Sequence, residues 1–86
     1  MTGTDDDHVA LGSALRVLRK RARMTQAQAG RAVSVRNTHI SAVECGERGI
    51  SYTTMLALTR AYGVGLRELV EEIERGEGKP PQRKAR

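Results

Sequence analysis

The chain has 86 residues and a net charge of +5, and it contains no Phe and no Trp. This length allows one small domain, whose core must be built from aliphatic side chains and the two tyrosines. No apolar run approaches the about 18 residues of a membrane span, and the acidic start MTGTDDDHVA is not typical of a secretory signal. The single cysteine excludes an internal disulfide and a cysteine-built zinc site. We therefore expect a soluble, cytoplasmic protein.

The charges are unevenly distributed along the chain. Residues 1–8 hold three Asp and no Lys or Arg, whereas residues 9–65 hold nine Lys or Arg and two Glu. Residues 66–75 are acidic, and residues 76–86 are basic, with two Pro and no apolar anchor. We therefore predict an acidic N-terminal tail (1–8), a folded domain (9–75) and a basic disordered tail (76–86). A basic centre indicates a polyanionic partner.

Helical spacing of apolar residues predicts a first helix over HVALGSALRVLRKRARM, with Leu11, Leu15 and Leu18 on one stripe. Asp7 is the expected N-cap. Two interpretations fit the basic run RVLRKRARM: a solvated face, or a surface that neutralises phosphates.

Two short helices follow. Thr25 and Gln28 have the spacing of a capping box at the start of TQAQAGRAV, and a third helix runs from Asn37 to about Cys45, before Gly46. Helices of about two turns are not stable alone, so we expect these two to pack together through Ala29, Val33, Val35, Ile40 and Val43. That packing turns the polar face of the third helix outward, where it fits a DNA major groove.

SYTTMLALTRAYG predicts a fourth helix capped by Ser51, and LRELVEEIER predicts a fifth. No segment alternates convincingly as a strand, so the predicted fold class is all-α. The apolar residues of the fifth helix, Leu66, Val70 and Ile73, either pack on the first helix or form a two-fold dimer seam with Ile50 and Tyr52.

The region from about Leu11 to Leu69 resembles the lambda-repressor/Cro type of helix-turn-helix protein, the XRE family. The resemblance rests on LRVLR, TQ, ISAVECG and MLALTRAYGV, which occur in the family's order and spacing. The chain departs from the family at Ala29, Gly30 and Ser34, where Leu, Ala and Gly are usual, and at Arg36, where a small capping residue is usual. Gly30 costs about 1 kcal/mol in a helix relative to Ala, but it allows the second and third helices to approach closely.

This resemblance implies a five-helix lambda-repressor-like domain that binds double-stranded DNA, and it implies roles for individual residues. Base contacts are expected from Arg36, Asn37, Thr38, Ser41 and Ala42. Phosphate contacts are expected from Arg16, Arg21, Thr25, Gln26, His39 and Arg48. Arg19 and Glu44 are expected to form a structural ion pair between the first and third helices. A dimer interface is expected from Ile50, Tyr52, Leu66, Val70 and Ile73.

The predicted function is a sequence-specific transcriptional regulator, a repressor or autoregulator, that binds a two-fold symmetric operator as a homodimer at the nucleoid. The alternative is an antitoxin that neutralises a partner toxin through the acidic fifth helix and the tail, and represses its own operon. RNA polymerase is a further candidate partner. RNA binding is disfavoured because the chain has no aromatic platform for stacking bases.

We expect no enzymatic activity, because no nucleophile–base pair or carboxylate pair has a supporting context. We also expect no metal and no cofactor. Cys45 is interpreted either as a redox switch or, preferably, as an ordinary small residue near the DNA backbone.

Overall fold

The computed structural model describes residues 3–76, and within this range it contains five α-helices and no strand. These are α1 (Gly3–Arg21), α2 (Gln26–Val33), α3 (Asn37–Glu44), α4 (Tyr52–Ala61) and α5 (Leu66–Arg75). The predicted all-α fold class is confirmed. The predicted basic tail (76–86), apart from Gly76, lies outside the described residues.

Helix α1 begins earlier than predicted. Its first residue is Gly3, so Asp7 lies inside the helix, and the prediction of Asp7 as the N-cap is wrong. Residues 3–8, which we predicted as a tail, are helical. Farther along α1, His8 and Val9 lie close to the loop that follows α3: a Cβ added to Gly49 would lie 2.9 Å from His8 Nε2, and one added to Gly46 would lie 2.7 Å from Val9 Cγ2. His8 and Val9 therefore pack against that loop.

The core draws on all five helices. Ile40 and Val43 of α3 are almost fully buried, against aliphatic residues from the other four helices. The buried apolar residues are Ala14, Leu15, Leu18, Ala29, Ile40, Val43, Leu58, Tyr62 and Leu69. Because burial of aliphatic surface is the main source of stability here, the position of α3 is determined by its contacts with the rest of the domain.

The predicted helix starts at Thr25 and Ser51 are confirmed. At α2, the Gln28 backbone N–H donates to Thr25 Oγ1 over 3.0 Å, and the Thr25 backbone N–H donates to Gln28 Oε1 over 2.8 Å. At α4, the Thr54 N–H donates to Ser51 Oγ over 3.1 Å. Each cap satisfies N–H groups that have no carbonyl partner within the helix.

A tight turn joins α2 to α3. Ser34 ends α2 in the left-handed conformation, with φ of 64°, and the Val35 N–H donates to the Gly30 carbonyl over 2.9 Å. A Cβ on Gly30 would come within 2.6 Å of the Val35 carbonyl oxygen. Gly30 therefore allows the close approach of the two helices that the sequence predicted.

No helix in the described part of the chain is long and apolar enough to cross a membrane. Among residues 3–76, no three His, Cys, Asp or Glu side chains are grouped in a way that could hold a metal ion.

Candidate nucleic-acid interface

Helix α3 presents a polar face to solvent. Asn37 and Thr38 are exposed, and Ser41 and Ala42 are half-buried. Ile40 and Val43, on the opposite face, are only 1% and 2% exposed. Burial of these two side chains fixes the rotation of α3 about its axis. The base-contact residues expected from the sequence therefore lie together on one accessible face.

The N-terminal end of α3 has no side-chain cap. Arg36 occupies the N-cap position with extended backbone (φ −74°, ψ 150°), and its side chain makes no capping hydrogen bond. The first intrahelical hydrogen bonds begin at the His39 and Ile40 N–H groups. The preceding N–H groups, together with the helix dipole, favour an anion at this end.

Arg36 lies between two open grooves at this end of α3. One groove, of about 460 Å³, is lined by Val35, Arg36, Thr38, His39 and Arg48. The other, of about 450 Å³, is lined by Ala27, Arg31, Val35, Arg36, Asn37 and Thr38. The structure thus brings His39 and Arg48 beside the base-contact face. It also places Arg31 there, a residue that the sequence did not single out because its position depends on the turn at Ser34.

A third groove, of about 360 Å³, lies where α1, the start of α2 and the end of α3 meet. It is lined by Ser13, Arg16, Gln26, Glu44 and Cys45. Arg16 and Cys45 are exposed, whereas Gln26 is half-buried. Two of the expected phosphate contacts, Arg16 and Gln26, are therefore neighbours, although ten positions separate them in the sequence.

The expected ion pair between Arg19 and Glu44 is present and buried. Arg19 Nε donates to Glu44 Oε2 over 2.6 Å, and Arg19 Nη2 donates to Glu44 Oε1 over 3.0 Å. Arg19 Nη1 also donates to the Met24 carbonyl over 2.8 Å. Each residue is 8% exposed. The hydrogen bond with Glu44 raises the pKa of Arg19 above its ordinary value. The pair joins α1 to the end of α3.

Glu44 has a second partner that the sequence did not indicate. Gln26 Nε2 donates to Glu44 Oε1 over 3.0 Å, so this oxygen accepts from both Arg19 and Gln26. The two residues are 18 positions apart and lie on different helices. No local pattern could have revealed this contact, since it depends on how α2 crosses the end of α3.

Arg21 is not brought together with the other expected phosphate contacts. Its Nη2 lies 3.2 Å from Glu72 Oε1, on the side of the molecule formed by α1 and α5. The same oxygen accepts a hydrogen bond from Arg75 Nη1 over 2.7 Å. Glu72 is 1% exposed, an unexpected position for a carboxylate. Its two arginine neighbours supply the opposite charge that a buried carboxylate requires.

The residues expected at a dimer interface differ in exposure. Tyr52 and Val70 are the large hydrophobic residues that the described surface exposes most, at 61% and 43%. Ile50, Leu66 and Ile73 are half-buried and pack against the core. An apolar surface is therefore available on α5 and at the start of α4.

Comparisons with known proteins agree with this geometry. A family model described as "Helix-turn-helix domain" matches residues 10–73. Two solved structures of the clp gene regulator ClgR from Corynebacterium glutamicum are similar to this chain, each with 25% sequence identity. One covers 80% of this chain and 73% of its own, with a TM-score of 0.78. The other covers 79% of this chain and 87% of its own, with a TM-score of 0.75. A search of curated protein sequences finds no significant match.

The family match spans all of α2, α3 and α4, including the tight turn and the exposed polar face described above. The resemblance noted from LRVLR, TQ and ISAVECG is thereby confirmed at the level of the helix-turn-helix domain. The chain belongs to the helix-turn-helix domain family of DNA-binding proteins.

Proposed function

We propose that this protein is a transcriptional regulator that binds a two-fold symmetric DNA operator as a homodimer and represses transcription there, including that of its own gene. In this proposal α3 is the recognition helix, and the protein acts in the cytoplasm, on the nucleoid. The similar structures belong to a protein named as a gene regulator, which supports a regulatory role.

The observation that carries the proposal is the exposed face of α3. Asn37 and Thr38 project from its first turn, and Arg36 stands directly before it. Residues at the front of a recognition helix are those that reach base edges in the major groove. An Asn side chain can pair with adenine through two hydrogen bonds, and an Arg with guanine. The half-buried Ala42 adds a methyl surface suited to thymine.

Three arginines and two polar side chains flank this face and supply the sequence-independent part of the affinity. Arg36, His39 and Arg48 line one groove beside α3, and Arg16 and Gln26 line another near the start of α2. Phosphate contacts of this kind position a protein on DNA, while the base contacts provide specificity. When the protein neutralises phosphates, counterions are released from the DNA, and the affinity therefore falls as the salt concentration rises.

A dimer is proposed from the exposed apolar residues. Val70 lies on α5 with 43% of its surface exposed, although the helix is otherwise rich in charge. A two-fold interface there would present two copies of α3 to successive major grooves, which lie about 34 Å apart. An operator read by such a dimer is palindromic.

The test is a selection of bound duplexes from a random DNA pool with the full-length protein. The proposal predicts recovery of a two-fold symmetric motif. On that motif, Asn37→Ala or Thr38→Ala should reduce discrimination against mismatched sites by about 1–3 kcal/mol. Ala32→Ser, at an exposed position of α2, is the control. Recovery of no motif, with affinity that collapses as salt rises, would contradict sequence-specific regulation.

The dimer is tested separately by light scattering. Val70→Asp introduces a charge at an exposed position, so the monomer should remain folded while the dimer dissociates. Ile73→Asp should also favour the monomer, but Ile73 packs against the core, which makes it the less selective variant. If Val70→Asp leaves a dimeric mass unchanged, the interface does not include α5 at this position.

A further inference from the structure

We infer that Glu44 is a positioning residue for DNA binding: its carboxylate orients the side-chain amide of Gln26 so that the amide presents a donor, and not its carbonyl oxygen, to a DNA phosphate. This inference rests on the proposed function and adds to it a role for a residue that the interface does not expose. Glu44 is 8% exposed and does not touch DNA in this scheme.

The orientation follows from the hydrogen-bonding capacity of the two groups. An ionised carboxylate only accepts hydrogen bonds, whereas a Gln side chain carries two N–H donors on Nε2 and an acceptor oxygen. Gln26 Nε2 lies 3.0 Å from Glu44 Oε1. One N–H of the amide is thus committed to Glu44, and the amide cannot be flipped without placing two oxygens against each other. The second N–H of Nε2 remains to donate elsewhere.

The second N–H of Gln26 Nε2 lies at the start of α2, beside backbone N–H groups that have no helical acceptor. Gln26 is the first residue of α2, and Thr25 caps only the Gln28 N–H. The first N–H to reach a helical carbonyl is that of Ala29. The backbone N–H groups of Gln26 and Ala27 therefore have no helical acceptor, and with the oriented amide they form a set of donors at the positive end of the helix dipole.

Arg19 makes it possible to hold a carboxylate so close to a phosphate site. It contacts both oxygens of Glu44, at 2.6 and 3.0 Å, and so neutralises the charge that would otherwise repel the phosphate. Arg16, on the exposed side of the same groove, supplies positive charge that is not committed to Glu44 by any short contact. The groove thus contains a carboxylate whose charge is neutralised by Arg19, and hydrogen-bond donors at the start of α2 beside it.

The experiment measures the affinity of the full-length protein for its selected operator after Glu44→Gln, Gln26→Ala and the combination. Gln26→Ala should weaken binding about tenfold, the effect of one hydrogen bond to a charged group. Glu44→Gln should weaken binding by a similar factor, because a Gln at this position can no longer enforce one amide orientation. In a protein that already carries Gln26→Ala, Glu44→Gln should weaken operator binding by less than about twofold further.

Whether Glu44→Gln weakens or strengthens DNA binding distinguishes a positioning role of Glu44 from the general repulsion between a carboxylate and DNA. Loss of a negative charge near DNA should strengthen binding, and Glu47→Gln is the matched control. Glu47 is exposed and lies three residues from Glu44, whereas the hydrogen bond of Gln26 Nε2 goes to Glu44. The inference predicts opposite signs for the two substitutions. Tighter binding by both, or an equal loss from Glu44→Gln with and without Gln26→Ala, would overturn it.

If Glu44→Gln unfolds the domain, the role of Glu44 can be tested in a variant in which both members of the ion pair are replaced. Replacement of a buried ion pair by apolar residues of similar volume is often neutral or stabilising, so Arg19→Met combined with Glu44→Met should fold. In that background Gln26→Ala should have less than about a twofold effect, and a full tenfold loss would overturn the inference. The side-chain amide signals of Gln26 in the free protein provide an independent readout: they should shift after Glu44→Gln and stay in place after Glu47→Gln.

The failure of this inference can be told from the failure of the proposed function. If the wild-type protein selects no DNA motif, the proposed function fails and the inference fails with it. If the protein selects a motif but Gln26→Ala leaves its affinity unchanged, only the positioning role of Glu44 is overturned.

Discussion

Gly12 of α1 lies directly against the carbonyl oxygen of Val43 in the last turn of α3. A Cβ built on Gly12 would come within 2.0 Å of that oxygen and within 3.0 Å of the Glu44 carbonyl oxygen. The two backbones are therefore in contact, and no residue larger than glycine fits between them. This contact holds the end of α3 against α1, beside the buried pair of Arg19 and Glu44.

We predict that Gly12→Ala lowers the free energy of unfolding by at least about 2 kcal/mol, because the obstacle is backbone and cannot move aside as a side chain would. Urea unfolding measures the change. The control is Gly65→Ala: an added Cβ there would lie 3.1 Å from the flexible Glu68 carboxylate, so the loss should stay below about 1 kcal/mol. Equal losses in the two variants would contradict the close contact.

Ser34 ends α2 in a conformation that glycine adopts more easily. Its φ is 64°, and a left-handed conformation costs a residue with a Cβ about 1–2 kcal/mol. Ser34→Gly should therefore raise the free energy of unfolding by about 1 kcal/mol, measured by thermal or urea denaturation. Ala32→Gly, at an exposed position inside α2, should instead lower it by about 1 kcal/mol. A loss of stability in both variants would show that Ser34 does not adopt this conformation in solution.

Arg36 occupies an N-cap position without making a cap. Arg36→Ser should stabilise the domain by about 0.5–2 kcal/mol through a hydrogen bond to the first turn of α3. The same change should weaken operator binding, because it removes a charge that lines both grooves beside α3. Thermal melting and a salt-dependent binding assay measure the two effects. Thr25→Ala, which deletes an existing cap, should destabilise. If Arg36→Ser leaves DNA affinity unchanged, Arg36 is not a DNA contact.

Tyr62 makes stability depend on pH above neutrality. Burial, and secondarily the charge of Glu44, raises the pKa of Tyr62 to about 12 from an ordinary value of 10.0. Between these values the folded protein holds a proton that the unfolded chain releases. The free energy of unfolding should therefore fall as pH rises from about 10 to about 12, by roughly 2–3 kcal/mol.

Tyr62→Phe should remove this part of the pH dependence. The hydroxyl of Tyr62 is buried without a hydrogen-bond partner, so its removal should leave stability at pH 7 unchanged or higher. Urea unfolding of both proteins at pH 7, 10 and 11.5 measures the effect. A clear loss of stability for the Phe variant at pH 7 would mean that the hydroxyl has a partner in solution.

Much of the fold was predictable because its determinants are local. The caps at Thr25 and Ser51, the end of α3 shortly before Gly46 and the choice of the buried face of α3 depend on residues within four positions of one another, a range in which sequence spacing fixes geometry. Arg19 and Glu44 were paired from a family resemblance, since nothing local connects two residues 25 positions apart.

By itself, the sequence determined five helices, an all-α fold and the polar face that α3 exposes. The tertiary structure decided the rest: the start of α1 at Gly3, the fit of Gly12 against Val43, the pairing of Arg21 with Glu72, and the hydrogen bond from Gln26 to Glu44. Each of these depends on how two helices cross or on how the chain returns to an earlier element. Periodicity shows which face of a helix is buried, but not which residue on another helix it meets.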